Sequence, residues 1–317
     1  MFDRRALLAS LGSSLLLTGT LAACGRGAGG NAGVLRVGSQ KGGTKSLMLA
    51  SGALDGIAYT VEWSEFPAAQ NLLEALGSGA IDTGLVGDAP FQFAYQAGSP
   101  IKAIGAQVAD QRTSGAIAIA VVVPASSSIR DAKGLKGKRI ATTRGSVGHY
   151  LLLRALLSAG LGLKDVTVVF LSPSDSRAAL QSKAVDGWST WQPYIAAAQA
   201  DGNRIAISNA GLAQGFGFDI AHEAAIKTKQ PLLADFLRRE AKALTWVSTH
   251  SGAYAKVLAQ ETGLPLEIAR QTAATSRLSV PIDQSLIDRQ QVVLDTFRKF
   301  GEVKTDRSLK DAFVPNV

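Results

Sequence analysis

Three glycine-containing turns carry residue types that suit the binding of a small anion. Each turn follows a short apolar run and precedes a segment with helical periodicity. The residues concerned are Gln40, Lys41, Gly42, Gly87, Asp88, Ala89, Gly145, Ser146 and His149. Backbone N–H groups at such turns and at the following helix N-termini attract negative charge. Ser146 and His149 add a hydroxyl and a ring nitrogen, so the pattern predicts an anion-binding cradle.

Structural roles stay open for three of these residues. Lys41 can equally point into solvent, and His149 can equally be a buried core residue. Asp88, two residues before Pro90, suits a helix cap as well as it suits ligand contact. A carboxylate at this place would repel an anion unless the ligand also carried an amine.

A fourth turn is rich in aromatic residues. Trp188 and Trp191 precede Tyr194 at the end of a predicted strand. Large aromatic rings are costly to expose and useful as the wall of a ligand pocket. We expect one tryptophan in that wall and the other in the core.

The sequence lacks the signatures of common enzyme classes. His222-Glu223 begins a zinc-binding H-E-x-x-H pattern, but Ile226 fills the second histidine place. Phosphate-binding Walker, nucleophile-elbow and dinucleotide-binding motifs are absent. Cys24 is the only cysteine, which excludes disulfides within the chain, and thiol catalysis or cysteine-ligated zinc in its body. We therefore expect no catalytic residues, no metal and no cofactor.

The elements that position these turns alternate between strands and helices. With 317 residues, 46% of them hydrophobic, the chain has material for two domains. The alternation predicts an α/β fold with mainly parallel sheets flanked by helices. Residues 35–42 resemble 138–145 at an offset of 103, and 75–82 resemble 179–186 at an offset of 104. This repeat predicts two lobes built from similar strand–helix–strand units.

The N-terminus is typical of an exported lipoprotein. Arg4 and Arg5 precede an apolar run that ends in small residues before Cys24. This arrangement predicts a signal peptide over 1–23, possible export by the twin-arginine route, and a lipid-anchored flexible tether over 24–33. Contact with a membrane would come through the anchor alone. The net charge of +8 is scattered along the chain, which disfavours nucleic acid as a partner, and we expect a monomer.

At these turns the sequence resembles the periplasmic solute-binding proteins of ABC importers for sulfonates, taurine and nitrate, with the strongest similarity to the aliphatic sulfonate-binding branch. The stretches that carry the resemblance are VGSQKGG, VEWSEFPAAQNLLEAL, IDTGLVGDAPFQFAYQAGSPIKAIG, GLKGKRIATTRGSVGHYLLLRAL, SDSRAALQSKAVDGWSTWQPYIAAA and SRLSVPIDQSLIDRQQ. Together they span about residues 35–291, nearly the whole predicted mature chain.

The resemblance implies a two-lobe type II periplasmic-binding-protein fold. Lobe 1 would comprise 34–116 and 213–317, and lobe 2 would comprise 117–212, with a hinge that closes the lobes on a ligand. The implied partners are a sulfonate-type anion, a permease and its ATPase. The family's binding positions fall on the four turns and on Arg277, whose guanidinium suits a sulfonate's oxygens. A surface salt bridge is the alternative role for Arg277.

Two departures from the family pattern bear on the ligand. Phe91 follows Pro90 where a second proline is common, and Gln192 stands where an aspartate is common. Phe91 and Phe93 are expected to add aromatic wall, which favours a larger alkyl or aryl sulfonate over taurine, nitrate or another small anion. A thiamin-pyrimidine enzyme or binder on the same fold is the alternative from another class, and it is disfavoured because such enzymes carry a cysteine cluster. Sensing in place of import stays open.

Overall fold

The computed structural model describes residues 33–110, 117–274, 277–315 and 317. The predicted signal peptide, Cys24 and nearly all of the predicted tether lie outside the described residues. Residues Gly33–Val317 cluster as one compact unit. Within the described ranges, no helix has both the length and the apolar composition that a membrane span requires.

Eleven strands form two sheets in the described part of the chain. In chain order they are β1 Val34–Gln40, β2 Thr60–Phe66, β3 Thr83–Gly87, β4 Ile101–Ala109, β5 Ile119–Pro124, β6 Arg139–Thr142, β7 Thr167–Phe170, β8 Gly187–Trp191, β9 Asn203–Ser208, β10 Phe216–His222 and β11 Arg277–Val280. The first sheet has the order β11-β4-β10-β3-β1-β2 and the second has the order β7-β6-β8-β5-β9. The first five residues of β5 are all buried, as is typical of a strand covered on both faces.

Each sheet is mixed rather than mainly parallel. β1 runs parallel to β2 and β3, and β6 runs parallel to β7 and β8, as the alternation of strands and helices predicts. β10 is antiparallel to β3 and β4, while β5 is antiparallel to β8 and β9. The reversal follows from the chain path. β5 and β10 are the first strands after the chain passes from one sheet to the other, so they run away from the edge at which the parallel strands end.

Ten helices cover these sheets in the described part of the chain. They are α1 Thr44–Ser51, α2 Ala69–Gly77, α3 Asp88–Gln96, α4 Val147–Ser158, α5 Pro173–Gln181, α6 Tyr194–Ala200, α7 Glu223–Thr228, α8 Gln230–Thr262, α9 Leu266–Ala273 and α10 Gln284–Lys299. Three single 3₁₀ turns lie at Lys133–Leu135, Leu163–Asp165 and Leu309–Ala312. His250 has non-helical φ and ψ of −125° and 28° and kinks α8.

The internal repeat produces the same Arg–Asp contact in both sheets. In the first sheet, the backbone N–H and guanidinium of Arg36 donate to the carboxylate of Asp82, and Asp82 N–H donates to Arg36 O. In the second, Arg139 and Asp186 make the same bonds. Each pair fixes a strand to the turn before its parallel neighbour. The repeat in the sequence therefore corresponds to a repeated structural unit.

The strands of each sheet come from the ranges predicted for one lobe. β1–β4, β10 and β11 fall within 34–116 and 213–317, and β5–β9 fall within 117–212. The division into two lobes stays a prediction. The helix faces that meet the sheets are apolar; in α2, for example, Leu72, Leu73 and Leu76 are buried. Burial of each such side chain contributes about 1.5–3 kcal/mol, and it fixes the helix N-termini at the sheet edge.

Candidate functional site

A cavity of about 280 Å³ lies between the two sheets. Its wall is formed by the turns at the carboxyl ends of β1, β2, β3 and β8, by the starts of α4, β10 and β11, and by one side of α8. Ligands of open α/β sheets bind at this edge of the strands. The volume lies near the lower end of the roughly 300–1,000 Å³ typical of small-molecule pockets.

Hydrogen bonds join turns of the two sheets beside this cavity. The hydroxyl of Tyr194 donates to the carbonyl of Pro67 at 3.3 Å. Gln70 Nε2 donates to the carbonyl of Arg144 at 3.0 Å. The guanidinium of Arg144 also pairs with Glu302 of the segment after α10. These contacts hold the two sides of the cavity together.

The N-terminal turns of α1, α2, α3 and α4 contribute to the cavity wall. The lining residues at these turns are Gly43 and Thr44 of α1, Ala69 and Gln70 of α2, Gly87 and Pro90 of α3, and Ser146 and Val147 of α4. Helix N-termini carry a partial positive charge and free N–H groups. The described lining residues include Lys41 and Arg277 but no aspartate or glutamate. Partial positive charges of helix N-termini and two cationic side chains therefore face the cavity directly.

The first predicted turn lies in the cavity wall. Gln40, Lys41 and Gly42 all line it. Gln40 is held by its Nε2 atom, which donates to the carbonyl of Leu85 at 3.2 Å. Lys41 is exposed and makes no side-chain hydrogen bond or ion pair with a described residue. Gly42 has a φ of +77°, a conformation that glycine adopts without strain.

The second predicted turn is divided between the wall and the core. Gly87 lines the cavity, whereas Asp88 and Ala89 are buried behind it. Asp88 is the first residue of α3 and not its cap. Its Oδ1 accepts from Ala89 N–H at 2.8 Å and its Oδ2 accepts from Phe216 N–H at 3.2 Å. Burial raises the pKa of Asp88 to about 6. Its carboxylate thus ties α3 to β10.

The expectation that Phe91 and Phe93 form aromatic wall is wrong. Phe91 is fully buried, with its ring packed edge-on against Phe218 and Phe313. Phe93 packs edge-on against Phe297 of α10, at 4.7 Å between ring centroids. Neither residue lines the cavity, because α3 turns both side chains toward the core. The aromatic lining comes from other residues, which are Trp191, Tyr194, Phe216 and Tyr254.

Ser146 reaches the cavity, and His149 does not. Ser146 caps α4, where its Oγ accepts from His149 N–H at 3.1 Å. His149 is fully buried, its ring lies 5.1 Å from that of Phe170, and its Nδ1 accepts from Gly145 N–H at 3.2 Å. Burial, with a smaller contribution from the Arg144 charge, lowers the pKa of His149 to about 3. His149 is therefore a neutral core residue, and Gly145 also lies behind the wall.

Of the two tryptophans in the aromatic turn, one lines the cavity and the other lies in the core, as predicted. Trp191 lines the cavity and meets Tyr194 edge-on at 5.5 Å. Trp188 is buried in the core of the second sheet. Gln192 precedes the N-cap of α6, Pro193, and its Oε1 accepts from Ala196 N–H in the first turn of that helix at 3.3 Å. Its Nε2 donates to the carbonyl of Ile117. The Gln192 side chain thus joins the start of α6 to the segment before β5.

Arg277 is a cavity-lining cation without a direct partner. It begins β11 opposite Ala109 of β4. Its guanidinium lies beside Gly217 of β10, where a Cβ atom would come within 2.8 Å of Nη2. Gly217 therefore leaves the space that the guanidinium fills. Arg277 makes no hydrogen bond or ion pair with any described residue, and its Nε is buried. The alternative role in a surface salt bridge is thus not observed within the described ranges.

Three buried carboxyl groups lie near Arg277 without touching it. Burial lowers the pKa of Arg277, while the charges of Asp88, Asp219 and Glu240 act in the opposite direction. Asp219 and Glu240 are hydrogen-bonded to each other, and burial raises the pKa of both. The Thr44 hydroxyl donates to Glu240 Oε1 at 3.1 Å. These groups lie on the far side of the cavity wall.

Several lining residues were not predicted from the sequence. Gln107 of β4 lines the cavity, as do Phe216 and Gly217 of β10 and Tyr254 of α8. A polar residue within the otherwise apolar end of a strand was the available signal for Gln107. Tyr254 could not be found in this way, because the kink at His250 determines which side of α8 faces the cavity. Among the described residues no group of three His, Cys, Asp or Glu side chains is arranged to hold a metal ion.

The sequence matches the model of the NMT1/THI5-like family over residues 60–252. A protein of Escherichia coli strain K12 named as an aliphatic sulfonates-binding protein is 36% identical over 242 residues, which are 74% of this chain and 73% of that protein. The solved structure of the periplasmic aliphatic sulphonate binding protein SsuA from Escherichia coli covers 90% of this chain and 92% of its own, with a TM-score of 0.77 and 29% identity.

A second solved structure is similar to the same extent. The alkanesulfonate-binding protein SsuA from Xanthomonas axonopodis pv. citri, bound to MOPS, has a TM-score of 0.79 and 31% identity. The match covers 89% of this chain and 98% of that one. Because the family model covers more than half of the chain and the Escherichia coli relative is 36% identical over 74% of it, the chain belongs to the NMT1/THI5-like family of periplasmic solute-binding proteins.

Proposed function

We propose that this chain is the extracytoplasmic solute-binding subunit of an ABC importer, and that its ligand is an alkyl or aryl sulfonate. The ligand occupies the cavity between the two sheets, and the loaded protein delivers it to a permease served by an ATPase. The chain acts by capture and release and is not an enzyme. The observation that carries the proposal is the guanidinium of Arg277, which lines the cavity with no partner among the described residues.

A sulfonate suits this cation and its surroundings. A guanidinium presents donors in a planar fork that matches two oxygens of an oxyanion, and such charge-assisted bonds are the stronger kind. The N-terminus of α4 brings Ser146 and the backbone around Val147 to the same cavity. No described lining residue is acidic, so nothing on the wall repels the anion directly. The names of the relatives, which describe binding of aliphatic sulfonates, support the same ligand class.

The rest of the cavity suits an organic tail. Aromatic rings of Trp191, Tyr194 and Tyr254 line it together with Ile119 and Leu244. Such a wall gains free energy by removing apolar ligand surface from water. Taurine would require a carboxylate for its ammonium group. Asp88, the candidate from the sequence, has both oxygens bonded to backbone N–H groups, and this favours an alkyl or aryl tail.

The proposed contacts divide the predicted site residues into two sets. Those that line the cavity, and so touch the ligand, are Gln40, Lys41, Gly42, Gly87, Ser146, Trp191 and Arg277. Those that hold the wall from behind are Asp88, Ala89, Gly145, His149 and Trp188. We place the protein in the periplasm or on the outer face of the cell membrane. Cys24 would carry the lipid anchor there, after export that can use the twin-arginine route.

Calorimetric titration of the purified protein tests the ligand class. The panel pairs benzenesulfonate, 1-hexanesulfonate and 3-morpholinopropanesulfonate with the neutral compounds benzenesulfonamide and 1-hexanol, and adds taurine and nitrate. We expect saturable binding of the organic sulfonates and none of the neutral compounds, because only the anions can pair with Arg277. Binding of a neutral compound alone would refute the anion site. Tighter binding of taurine than of every aryl and longer alkyl sulfonate would refute the proposed tail.

A further inference from the structure

The cavity holds one buried donor and one buried acceptor that lack partners. Of the buried side-chain polar atoms without a hydrogen-bond partner in the described part of the chain, two belong to lining residues. They are Nε of Arg277 and Oε1 of Gln107. Buried polar groups in folded proteins are nearly always paired. The proposed sulfonate can accept hydrogen bonds from Arg277. Because a sulfonate has only acceptor oxygens, it cannot donate a hydrogen bond to Gln107.

The amide of Gln107 has a defined orientation. Its Nε2 donates to Oδ2 of Asp219 at 3.4 Å. The oxygen therefore points away from the acid pair formed by Asp219 and Glu240. Only 2% of Gln107 is exposed, and the amide cannot turn over without placing its oxygen against the Asp219 carboxyl.

Gln107 and Arg277 lie on the same face of the first sheet. Arg277 is opposite Ala109 of β4, and Gln107 is two residues further along that strand, opposite Ser279 of β11. On its other side Gln107 is opposite Gly217, which has no side chain to cover it. Diagonal neighbours in a sheet lie about 7–8 Å apart. One small ligand can therefore reach both side chains.

Three other polar side chains at this part of the wall are bonded elsewhere. Gln40 Nε2 donates to the Leu85 carbonyl, the Thr44 hydroxyl donates to Glu240, and the Ser146 hydroxyl accepts from His149 N–H. None of these bonds supplies a donor to Gln107. A donor group on the ligand can supply the missing partner of its oxygen.

We infer that Gln107 is a specificity-determining residue, whose Oε1 accepts a hydrogen bond from a hydroxyl group on the ligand's chain. The site then prefers hydroxyalkanesulfonates to alkanesulfonates of the same size. This inference rests on the proposed function, since it takes the sulfonate to lie at Arg277. The preference follows because a hydroxyl supplies a hydrogen bond to an acceptor that has no partner in the unliganded protein, whereas a methyl group leaves that acceptor unpaired.

Two ligand pairs of matched size test the inference by titration calorimetry. The first pair is 2-hydroxyethanesulfonate and 1-propanesulfonate, and the second is 3-hydroxypropanesulfonate and 1-butanesulfonate. In at least one pair we expect the hydroxyl compound to bind about tenfold more tightly. Gln107→Met, which keeps the length but removes the acceptor, should abolish that preference. Gln107→Asn withdraws the amide by one methylene and should reduce it, which provides a second variant if the first does not fold.

Gln181→Met is the matched control. Gln181 also donates through Nε2 to an aspartate, Asp201, but it lies on α5 outside the cavity, so the preference should stay unchanged. Equal affinities within both pairs, as expected if water serves the Gln107 oxygen in the complex, would overturn the inference. So would a Gln107→Met variant that weakens both members of a pair equally. Failure of all four sulfonates to bind would instead refute the proposed function itself.

Discussion

Replacing Arg277 with glutamine tests whether this cation binds the ligand or stabilises the fold. In this structure the guanidinium lies at the cavity wall, and no described residue pairs with it or accepts its hydrogen bonds. Burial lowers the pKa of Arg277, so its charge is held in the protein at a cost in free energy. The N–H groups of this buried cation are therefore free to donate hydrogen bonds to a ligand.

The expected loss of affinity follows from the bonds that the guanidinium would make. A hydrogen bond to a charged group contributes about 1.5–3 kcal/mol. Loss of one such bond to a sulfonate oxygen should weaken binding about 10- to 150-fold. The unliganded variant should be no less stable than the wild-type protein, because a buried charge without a direct partner is removed and no hydrogen bond to a described residue is lost.

Two assays check these opposite effects. Calorimetric titration with benzenesulfonate measures the dissociation constant, and urea unfolding without ligand measures the free energy of unfolding. Arg238→Gln is the matched control. Its side chain is 72% exposed and bonds only locally within α8, to Asp235 and to the carbonyl of Ala234, so both quantities should stay near their wild-type values. An Arg277→Gln variant with unchanged affinity and a reduced free energy of unfolding would assign Arg277 to the structure and refute the anion site.

Three further substitutions have distinct expected outcomes. Trp191→Ala should weaken benzenesulfonate binding more than methanesulfonate binding in calorimetry, and equal losses would remove its ring from contact with the tail. Gly217→Ala brings a methyl group within 2.8 Å of Arg277 Nη2 and should weaken sulfonate binding about tenfold, whereas Gly252→Ala, with open space around it, should not. Asp88→Asn should remove a pH dependence of up to about 3 kcal/mol from the free energy of unfolding, because burial raises the pKa of Asp88 from 3.8 to about 6. The carboxyl stabilises the folded state below pH 4 and loses that contribution as the pH rises through 6. Urea unfolding should therefore show a smaller decrease in stability between pH 4 and pH 7.5 in the variant than in the wild-type protein, and an equal decrease in both would contradict this effect of Asp88.

Repeated and alternating patterns in the sequence were the most reliable predictors of the fold. The repeat at offsets of 103 and 104 corresponds to the Arg36–Asp82 and Arg139–Asp186 contacts. The predicted turns lie at the carboxyl ends of strands, because a parallel strand followed by a helix has to turn there. Such features depend on local spacing, which a single sequence records directly.

Strand β10 shows what local spacing cannot reveal. It lies in the middle of the first sheet, between β3 and β4, yet the sequence analysis did not predict it. Its direction and place depend on the return of the chain from the second sheet, which no local pattern encodes. Phe216 and Gly217 entered the cavity wall with it. Strand β10 therefore supplies a part of the cavity wall that the spacing of residues in the sequence did not predict.

The direction in which a side chain faces, toward the cavity or toward the core, was also not predictable from the sequence. Phe93 and His149 follow predicted turns and have chemically suitable side chains, yet both face the core. A rotation of about 100° per residue separates a cavity-facing position from its neighbour on a helix. Ser146 reaches the cavity because it is the N-cap at the end of α4, whereas His149 lies within the first turn and is buried. Residue type identified the right turns but not the right side chains.

In the proposed site, the charges around Arg277 have two opposite effects on the binding of an anion. Asp88 and Asp219 are near enough to offset part of the cost of burying the guanidinium. Each of these carboxyls is bonded elsewhere, to backbone N–H groups or to Gln107 and Glu240. Because none of them occupies the hydrogen bonds of Arg277, a ligand need not displace an internal partner to bind. Because they act through a low-dielectric interior, they also repel the bound anion. The same arrangement that keeps the cation available therefore limits its affinity, as a protein that passes its ligand onward requires.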